Sequence, residues 1–444
     1  MQYAEIGNTW SKLSLISGHA RGDRKFQFTS LAHLLDAEYL RGCYYSLNRY
    51  KAVGIDNVNW QEYGVNLDEN LEQLVSRLKR KNYKPIPARR VYIPKNETEM
   101  RPLGISALEN KIVERGIAGI LESIYEQDFL NCSYGFRRGK NCHQALKRLD
   151  ELIMFHPVNH IVEADIKGFF DNVNHEYLME FIRIRIADPS LLNLIGKFLK
   201  AGYVDAGQLV ESDAGTPQGS ILSPILANIF LHYVLDEWFE KTVKSHVMGF
   251  CELVRYADDF VCAVQYAADA ERIERALKNR FSKYGLEIHP AKSRNITFGR
   301  LEQETAGKQN RKPNTFDFLG FTHYCTKSRK GKFKLGRKTS RKKFTAKCKA
   351  MKDWLKEIRN QFKAKEWWKT LAAKLRGHFQ YYGISGNSAK IVEFYRMTTK
   401  LVHKWFNRRS QKGKMNWDEF TEYLKHYPLP RPRIVHKFTL SGVR

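Results

Sequence analysis

Three acidic residues stand in apolar surroundings where acids are uncommon. In "RYADDF" (255–260) Asp258 and Asp259 lie between the stretches "CELV" and "VCAVQY", and in "IVEADIKGFF" Asp165 closes an apolar run. Each has an ordinary structural use, since Asp stabilises turns and caps helices through its own carboxylate. If the strand ending at Asp165 lies beside the hairpin carrying Asp258 and Asp259, the carboxylates converge. Like charges so close repel unless cations sit between them. Mg²⁺ suits such a site because it takes carboxylate and phosphate oxygens while keeping some waters. Two such ions about 3.5–4 Å apart activate a hydroxyl and stabilise the leaving pyrophosphate of an in-line displacement. A site of that kind would take a pair of Mg²⁺ ions, with Mn²⁺ as a substitute, on Asp165, Asp258 and Asp259.

Chemistry on phosphates also needs cations and close backbone approach. Arg89, Lys95 and Arg101 flank the polar turn of "RRVYIPKNETEMRPLGI". They could pin a triphosphate, Arg through its fork and Lys as a point charge, or simply solvate a hairpin face. "GTPQGSILSP" (215–224) places two glycines and two prolines before an apolar run. Glycine lets backbone approach a ligand, and Gln218 offers both an amide donor and an acceptor. The same loop also serves as a plain helix entry.

The elements that must hold these residues are legible in outline. "CELV" and "VCAVQY" suit two short strands. "NHIVEADIKGFFDNV" (159–173) reads as a strand, a turn, and then a helix from about His175. "RVYIP" and "MRPLGI" read as strands joined by a turn. Periodicity predicts helices over 28–50, capped near Thr29 or Ser30, and over 66–83, 107–127, 141–154 and 221–243. From Lys327 to Lys349, 23 residues include 12 Lys or Arg and no acid. That stretch reads as a basic linker leading to a separate three-helix C-terminal domain.

Composition narrows the class of partner. The 444 residues carry 75 Lys plus Arg against 47 Asp plus Glu, a formal charge of +28 that favours a polyanion, nucleic acid before membrane. Seven scattered cysteines, none in a Cys-x-x-Cys pair, argue against a disulfide framework or a zinc ribbon. The N-terminus lacks the pattern of a signal peptide, and the longest apolar stretch, "ILSPILANIFLHYVL", is too short and too interrupted to span a bilayer. These features predict a soluble, cytoplasmic protein with no membrane partner.

Taken together and in order, "RPLGI", "SYGFRRGKNCHQAL", "EADIKGFFDNVNH", "GTPQGSILSPILANIFL", "RYADDF", "GLEIHPAKS" and "FDFLGF" closely resemble the sequence blocks of reverse transcriptases of the group II intron type. The likeness runs over roughly 25–325. It continues less sharply into "LRGHFQYYGISGN" and "YPLPRPRIVHKF", which look like that family's thumb, or maturase, domain. The resemblance implies an α+β right-hand polymerase, with fingers and palm built of antiparallel sheet and helices, followed by an all-α thumb. The expected domains are an N-terminal extension over 1–60, fingers and palm over 61–325, and basic linker plus thumb over 326–444.

The resemblance also implies roles. Asp165, Asp258 and Asp259 match the metal-binding palm aspartates, and Phe170 matches the aromatic under the incoming sugar that excludes a 2′-hydroxyl. Gln218 matches the residue touching the incoming nucleotide, and Arg89, Lys95 and Arg101 match triphosphate-binding positions. Tyr256 and Lys292 fall on the primer and template side. Implied partners are an RNA template, a DNA or RNA primer, dNTPs and structured intron RNA. Many intron-encoded relatives end in an HNH-type endonuclease with paired cysteines; the lack of such pairs predicts that this chain has none. Two other readings keep the same residues: a free-standing relative serving DNA repair or phage defence, and an RNA-binding splicing cofactor without polymerase activity.

Overall fold

A computed structural model describes residues 6–94, 99–211, 213–216, 218–290, 293–408 and 414–438, with side chains from residue 12 onward except at 364. Lys95 and Lys292 lie outside the described residues. The strands are β1 Ala88–Pro94, β2 Met100–Ile105, β3 His160–Ala164, β4 Tyr203–Asp205, β5 Gln208–Val210, β6 Cys251–Tyr256, β7 Asp259–Val264, β8 Arg294–Thr297, β9 Thr315–Phe318, β10 Phe321–Lys327 and β11 Phe333–Thr339. They form three sheets, ordered β2-β1-β4-β5, β6-β7-β3-β8 and β11-β10-β9. With the intervening helices this is the expected α+β class. The β1–β4 pairing departs from the antiparallel expectation, because those strands run parallel.

The chain divides into two compact units. The first comprises Met1–Ala145, Val162–Cys262 and Ala268–Arg294. Its centre is the helix Leu108–Tyr125, where Ile112, Val113, Ile117, Ile120 and Leu121 are fully buried. The stretch before residue 60 is built into this unit. The Tyr39 hydroxyl donates to the Gly116 carbonyl at 2.9 Å and the Ser17 hydroxyl to that of Ser123 at 3.0 Å. A helix at Ile6–Gly22 has no counterpart in the sequence reading.

The helix expected over 28–50 is shorter. It spans Ala37–Ser46, capped by the Asp36 carboxylate accepting from Tyr39 N at 2.8 Å. The residues before it are diverted because Leu31 N and Ala32 N donate to Asp188, at 2.6 and 2.7 Å. The hairpin expected of "RVYIP" and "MRPLGI" forms, with β1 and β2 antiparallel and Ile93 opposite Arg101. The helix expected over 221–243 is α-helical only over Ser223–Leu231, then continues as two π-helical turns, His232–Asp236 and Phe239–Val243.

The second unit comprises Leu146–Ile161, Ala263–Ala267 and Asn295–Arg444. The basic run is not a linker. Lys327 ends β10, residues 333–339 form β11 in register with it, and a helix covers Arg341–Ile358. Counting charges hid an alternation, for Leu335, Arg337 and Thr339 are buried while Lys334 and Lys338 are exposed. Further helices run over Ala364–Tyr382, Ser388–Phe406 and Trp417–His426, so four rather than three follow β11 among the described residues. The C-terminal segment docks on the loop after the second of these, where Val435 N and His436 N both donate to the Gly383 carbonyl, at 2.7 and 2.9 Å. Among the described residues no helix is long and apolar enough to cross a membrane.

Candidate active site

The turn between β6 and β7 is Ala257–Asp258, and Ala257 adopts φ +57°, a left-handed conformation uncommon for a residue with a Cβ. Asp258 is half-buried. Burial raises its pKa above the usual carboxylate value, and the charge of Asp165 raises it further, while Arg101 and Arg255 act in the opposite sense. Sequence separates these residues by 93 positions, and the sheet order sets β3, which ends just before Asp165, beside β7, which begins just after Asp258. Asp165 follows β3, its carbonyl accepting from His289 N at 2.8 Å. Asp259 is exposed at the start of β7. Among the described residues no three His, Cys, Asp or Glu side chains form a group that could hold a metal ion unaided.

The residue that secures this turn lies one step before the motif's tyrosine and escaped the sequence reading. Arg255 is fully buried. Its Nε donates to Asp236 Oδ1 at 2.7 Å, and Nη1 donates to Asn228 Oδ1 at 3.1 Å and to the Ala257 carbonyl at 3.0 Å. One guanidinium thus holds the turn's strained peptide, with its charge balanced by an aspartate from the first π-helical turn. Asn228 in turn donates to the Gly135 carbonyl at 2.9 Å, tying "SYGF" to the same network. The available signal was an Arg directly after the apolar pair Leu253–Val254 of a strand, a buried position that demands an acid somewhere in the chain.

A second group assembles around Phe170. Gly168, at φ +54°, opens the short helix Phe169–Asn172; Phe169 is core and Phe170 only half-buried, which separates the two neighbours. Thr216 N donates to the Phe170 carbonyl at 2.7 Å, and a Cβ at Gly215 would press on the carbonyls of Phe170 and Asp171. Gln218 donates its amide to Asp171, 3.2 Å from Oδ2, and its own carbonyl accepts from Gly104 N of β2 at 2.6 Å. The loop carrying Gln218 is therefore clasped between the Phe170 turn and the fingers strand.

Its far end is fixed by Glu114, a buried carboxyl accepting from Ser106 Oγ, Ser220 Oγ and Ile221 N at 2.9, 3.0 and 2.8 Å. Burial raises the Glu114 pKa against the opposing effect of those three bonds. Glu114 also escaped the sequence reading, because an acid in a helical period looks like a solvated face.

The cations part company. Arg101 is exposed on β2 and acts electrostatically on Asp258. Arg89 is half-buried with Nη2 donating to the Val53 carbonyl at 2.9 Å, so its guanidinium engages the "KAVGID" loop. Its neighbour Arg90 stacks 3.4 Å from the Tyr203 ring centroid. Tyr256 is half-buried, and burial raises its phenol pKa.

Residues 93–323, more than half of the chain, match the family model described as reverse transcriptase (RNA-dependent DNA polymerase). The group II intron-encoded protein LtrA of Lactococcus lactis subsp. cremoris is 46% identical over 166 residues, 37% of this chain and 27% of that protein. Protein YkfC of Escherichia coli (strain K12) is 34% identical over 243 residues, 48% of this chain and 63% of that protein. An uncharacterized 91 kDa protein in the cob intron of Schizosaccharomyces pombe is 38% identical over 178 residues, 40% of this chain and 22% of that protein. The chain thus spans less than two thirds of the length of these relatives.

Proposed function

We propose that this chain, which belongs to the reverse transcriptase family, is an RNA-directed DNA polymerase of the group II intron type, extending a DNA or RNA primer with dNTPs along an RNA template. One observation supports the reading: β3, which ends just before Asp165, lies beside β7, whose entering turn carries the half-buried Asp258. Carboxylates on neighbouring strand ends are a donor set that suits a divalent cation. Mg²⁺ commonly binds through one or two carboxylates and completes its shell with substrate phosphates, so no closed protein cage is needed. Asp165, Asp258 and Asp259 would hold two Mg²⁺ or Mn²⁺ ions, which would supply activation of the primer hydroxyl and neutralisation of the leaving pyrophosphate.

The chain's own residues do the rest. Asp165 and Asp258 provide the negative site, with Asp259 beside them in sequence. Arg101 grips triphosphate oxygens, with Lys95 as its expected companion across the hairpin. Gln218 presents its amide to the nucleotide once Asp171 releases it. The Phe170 ring, on a turn fixed by Thr216, lies against the incoming sugar and excludes a 2′-hydroxyl. Arg89 is assigned a supporting role, since its guanidinium is engaged by Val53. The names of two relatives, an intron-encoded protein and a protein of a cob intron, support a second role in binding structured intron RNA as a maturase.

Primer extension on an RNA template tests this. Asp258→Ala should lower nucleotide addition by at least about 10²–10³, the scale of losing a group that acts on developing charge, with RNA affinity unchanged. A variant extending primers at the parental rate overturns the assignment. A parental chain that binds RNA and adds no nucleotide favours the splicing-cofactor reading.

A further inference from the structure

Phe136 has a conformation and an exposure that packing does not explain. It adopts φ +56°, a genuine outlier for a bulky residue, and its side chain is 55% exposed. Such strain persists only where the surroundings impose it. Here both flanks are fixed. On one side, Arg255 N donates to the Cys132 carbonyl at 2.8 Å and Tyr134 N to the Arg255 carbonyl at 2.9 Å, which staples the segment along β6. Gly135 lies so close to Ala257 that any Cβ would collide with its backbone nitrogen. On the other side, Arg137 donates to Glu126 Oε1 at 2.7 Å and to the carbonyls of Leu130 and Ser133 at 2.7 and 2.9 Å. The chain therefore holds an aromatic ring outward beside the turn bearing Asp258.

The position has a side. In the order β6-β7-β3-β8, β6 is an edge strand, and Phe136 adjoins it, whereas Asp165 follows β3 two places away. Phe136 thus stands across the hairpin from the strand that leads to Asp165 and on to Phe170. The same loop carries Arg138, whose side chain is 57% exposed while Nη2 pairs with Glu122 at 2.9 Å, and Lys140, whose Nζ lies 5.5 Å from the Tyr134 ring centroid. An exposed ring among cations is the composition that tracks a nucleic-acid strand, the ring stacking on a base or sugar and the cations meeting phosphates.

We propose that Phe136 is a substrate-contacting residue that stacks on a nucleoside of the primer–template duplex, on the side of the catalytic hairpin away from the incoming nucleotide. This rests on the polymerase reading of the same hairpin. A separate tool tests each: nucleotide addition by the parental protein tests the polymerase, and duplex affinity without dNTPs tests Phe136.

The decisive variant is Phe136→Gly. Glycine carries no penalty at positive φ, so the melting temperature should hold or rise. The Kd for an RNA–DNA primer–template should weaken about 5- to 150-fold, the span of losing one base–aromatic stack, and Phe136→Trp should restore it. The KM for dNTP on saturating duplex should stay at the parental value. Duplexes carrying 5-iodouracil at successive positions, in the template in one arm and in the primer in the other, should photocrosslink to residue 136 and identify the strand. An unchanged Kd in Phe136→Gly overturns the proposal. So does a loss of affinity that accompanies a lower melting temperature and is not recovered by Phe136→Trp, which would mark the ring as packing.

Discussion

The β6–β7 hairpin and the basic run through β11 use one device to opposite ends. Each strand is anchored by a single buried Arg–Asp pair, Arg255 with Asp236 at 2.7 Å and Arg337 with Asp150 at 3.0 Å. Around Arg255 the fold sets acids on neighbouring strands, Asp258 in the turn before β7 and Asp165 just past the end of β3. Around Arg337 it spreads positive charge: of the 12 cations from Lys327 to Lys349, Arg337 alone is buried and the others are exposed. A converged acidic site attracts divalent cations and phosphates together, whereas a dispersed basic surface suits a long polyanion. Neither role follows from residue type, since the arginines that set both strands face inward and meet no ligand.

The largest effect expected of this contrast is on salt dependence. Binding through six to ten phosphates would lose about 10³–10⁵ in affinity between 50 and 200 mM salt. Replacing Arg341, Lys342 and Lys343, all exposed at the start of the helix after β11, by Gln should flatten the slope of log Kd against log salt by up to about 0.9 per lost phosphate contact. Filter binding at four salt concentrations reads it. A slope unchanged by the triple substitution would remove this surface from RNA binding.

The anchors should behave alike in stability and differently in activity. Arg255→Met and Arg337→Met each leave a buried aspartate uncompensated, which costs about 3–5 kcal/mol. Urea unfolding should show both losses, and the double variants with Asp236→Leu or Asp150→Leu should recover part of them. Primer extension by the Arg255→Met protein, under conditions where it remains folded, should fall further than duplex affinity, because the turn bearing Asp258 loses its brace. Equal falls in extension for both anchors would dissolve the distinction drawn here.

Phe170 tests the other wall of the acidic site. Its half exposure separates it from Phe169, which is 2% exposed, so Phe170→Ala should spare the core and admit ribonucleotides. The readout is kcat/KM for dNTP over rNTP on one template, where each tenfold fall is about 1.4 kcal/mol of lost discrimination. A core role would instead depress both substrates together.

The smallest effect concerns pH in the second unit. His378 is buried, with its ring stacked 3.7 Å from that of Phe394, and burial lowers its pKa to about 4. Between that value and the ordinary 6.5 the unfolded chain binds more protons than the folded one, so stability rises with pH across this window. Acidification from pH 6.5 towards 4 should weaken folding, and His378→Phe should reduce that pH dependence. An identical pH–stability profile in His378→Phe would show that another group governs it.

Much of the scaffold was legible because it rests on short-range rules. The β1–β2 and β6–β7 strands, the helices at 108–125 and 67–79, and the strand-to-turn passage at Asp165 all follow from alternation, periodicity and turn chemistry within a few residues. The first helix and the extent of the second were missed, the latter because Asp188, far along the chain, takes the backbone donors of Leu31 and Ala32. The basic run was misread because net charge hides which cations alternate inward.

What the sequence determined by itself was the set of acids, cations and loops that chemistry on nucleotides requires, in an order that resembles one family. Tertiary structure alone decided that the strand ending before Asp165 lies beside β7 and the turn at Asp258, and that Arg101 stays exposed while Arg89 engages a carbonyl. It also decided that Arg255, Asp236, Asn228 and Glu114 hold the site's backbone. A buried charge is tolerated only where a partner closes on it, and that partner is supplied by packing across long stretches of chain. Local pattern cannot name it.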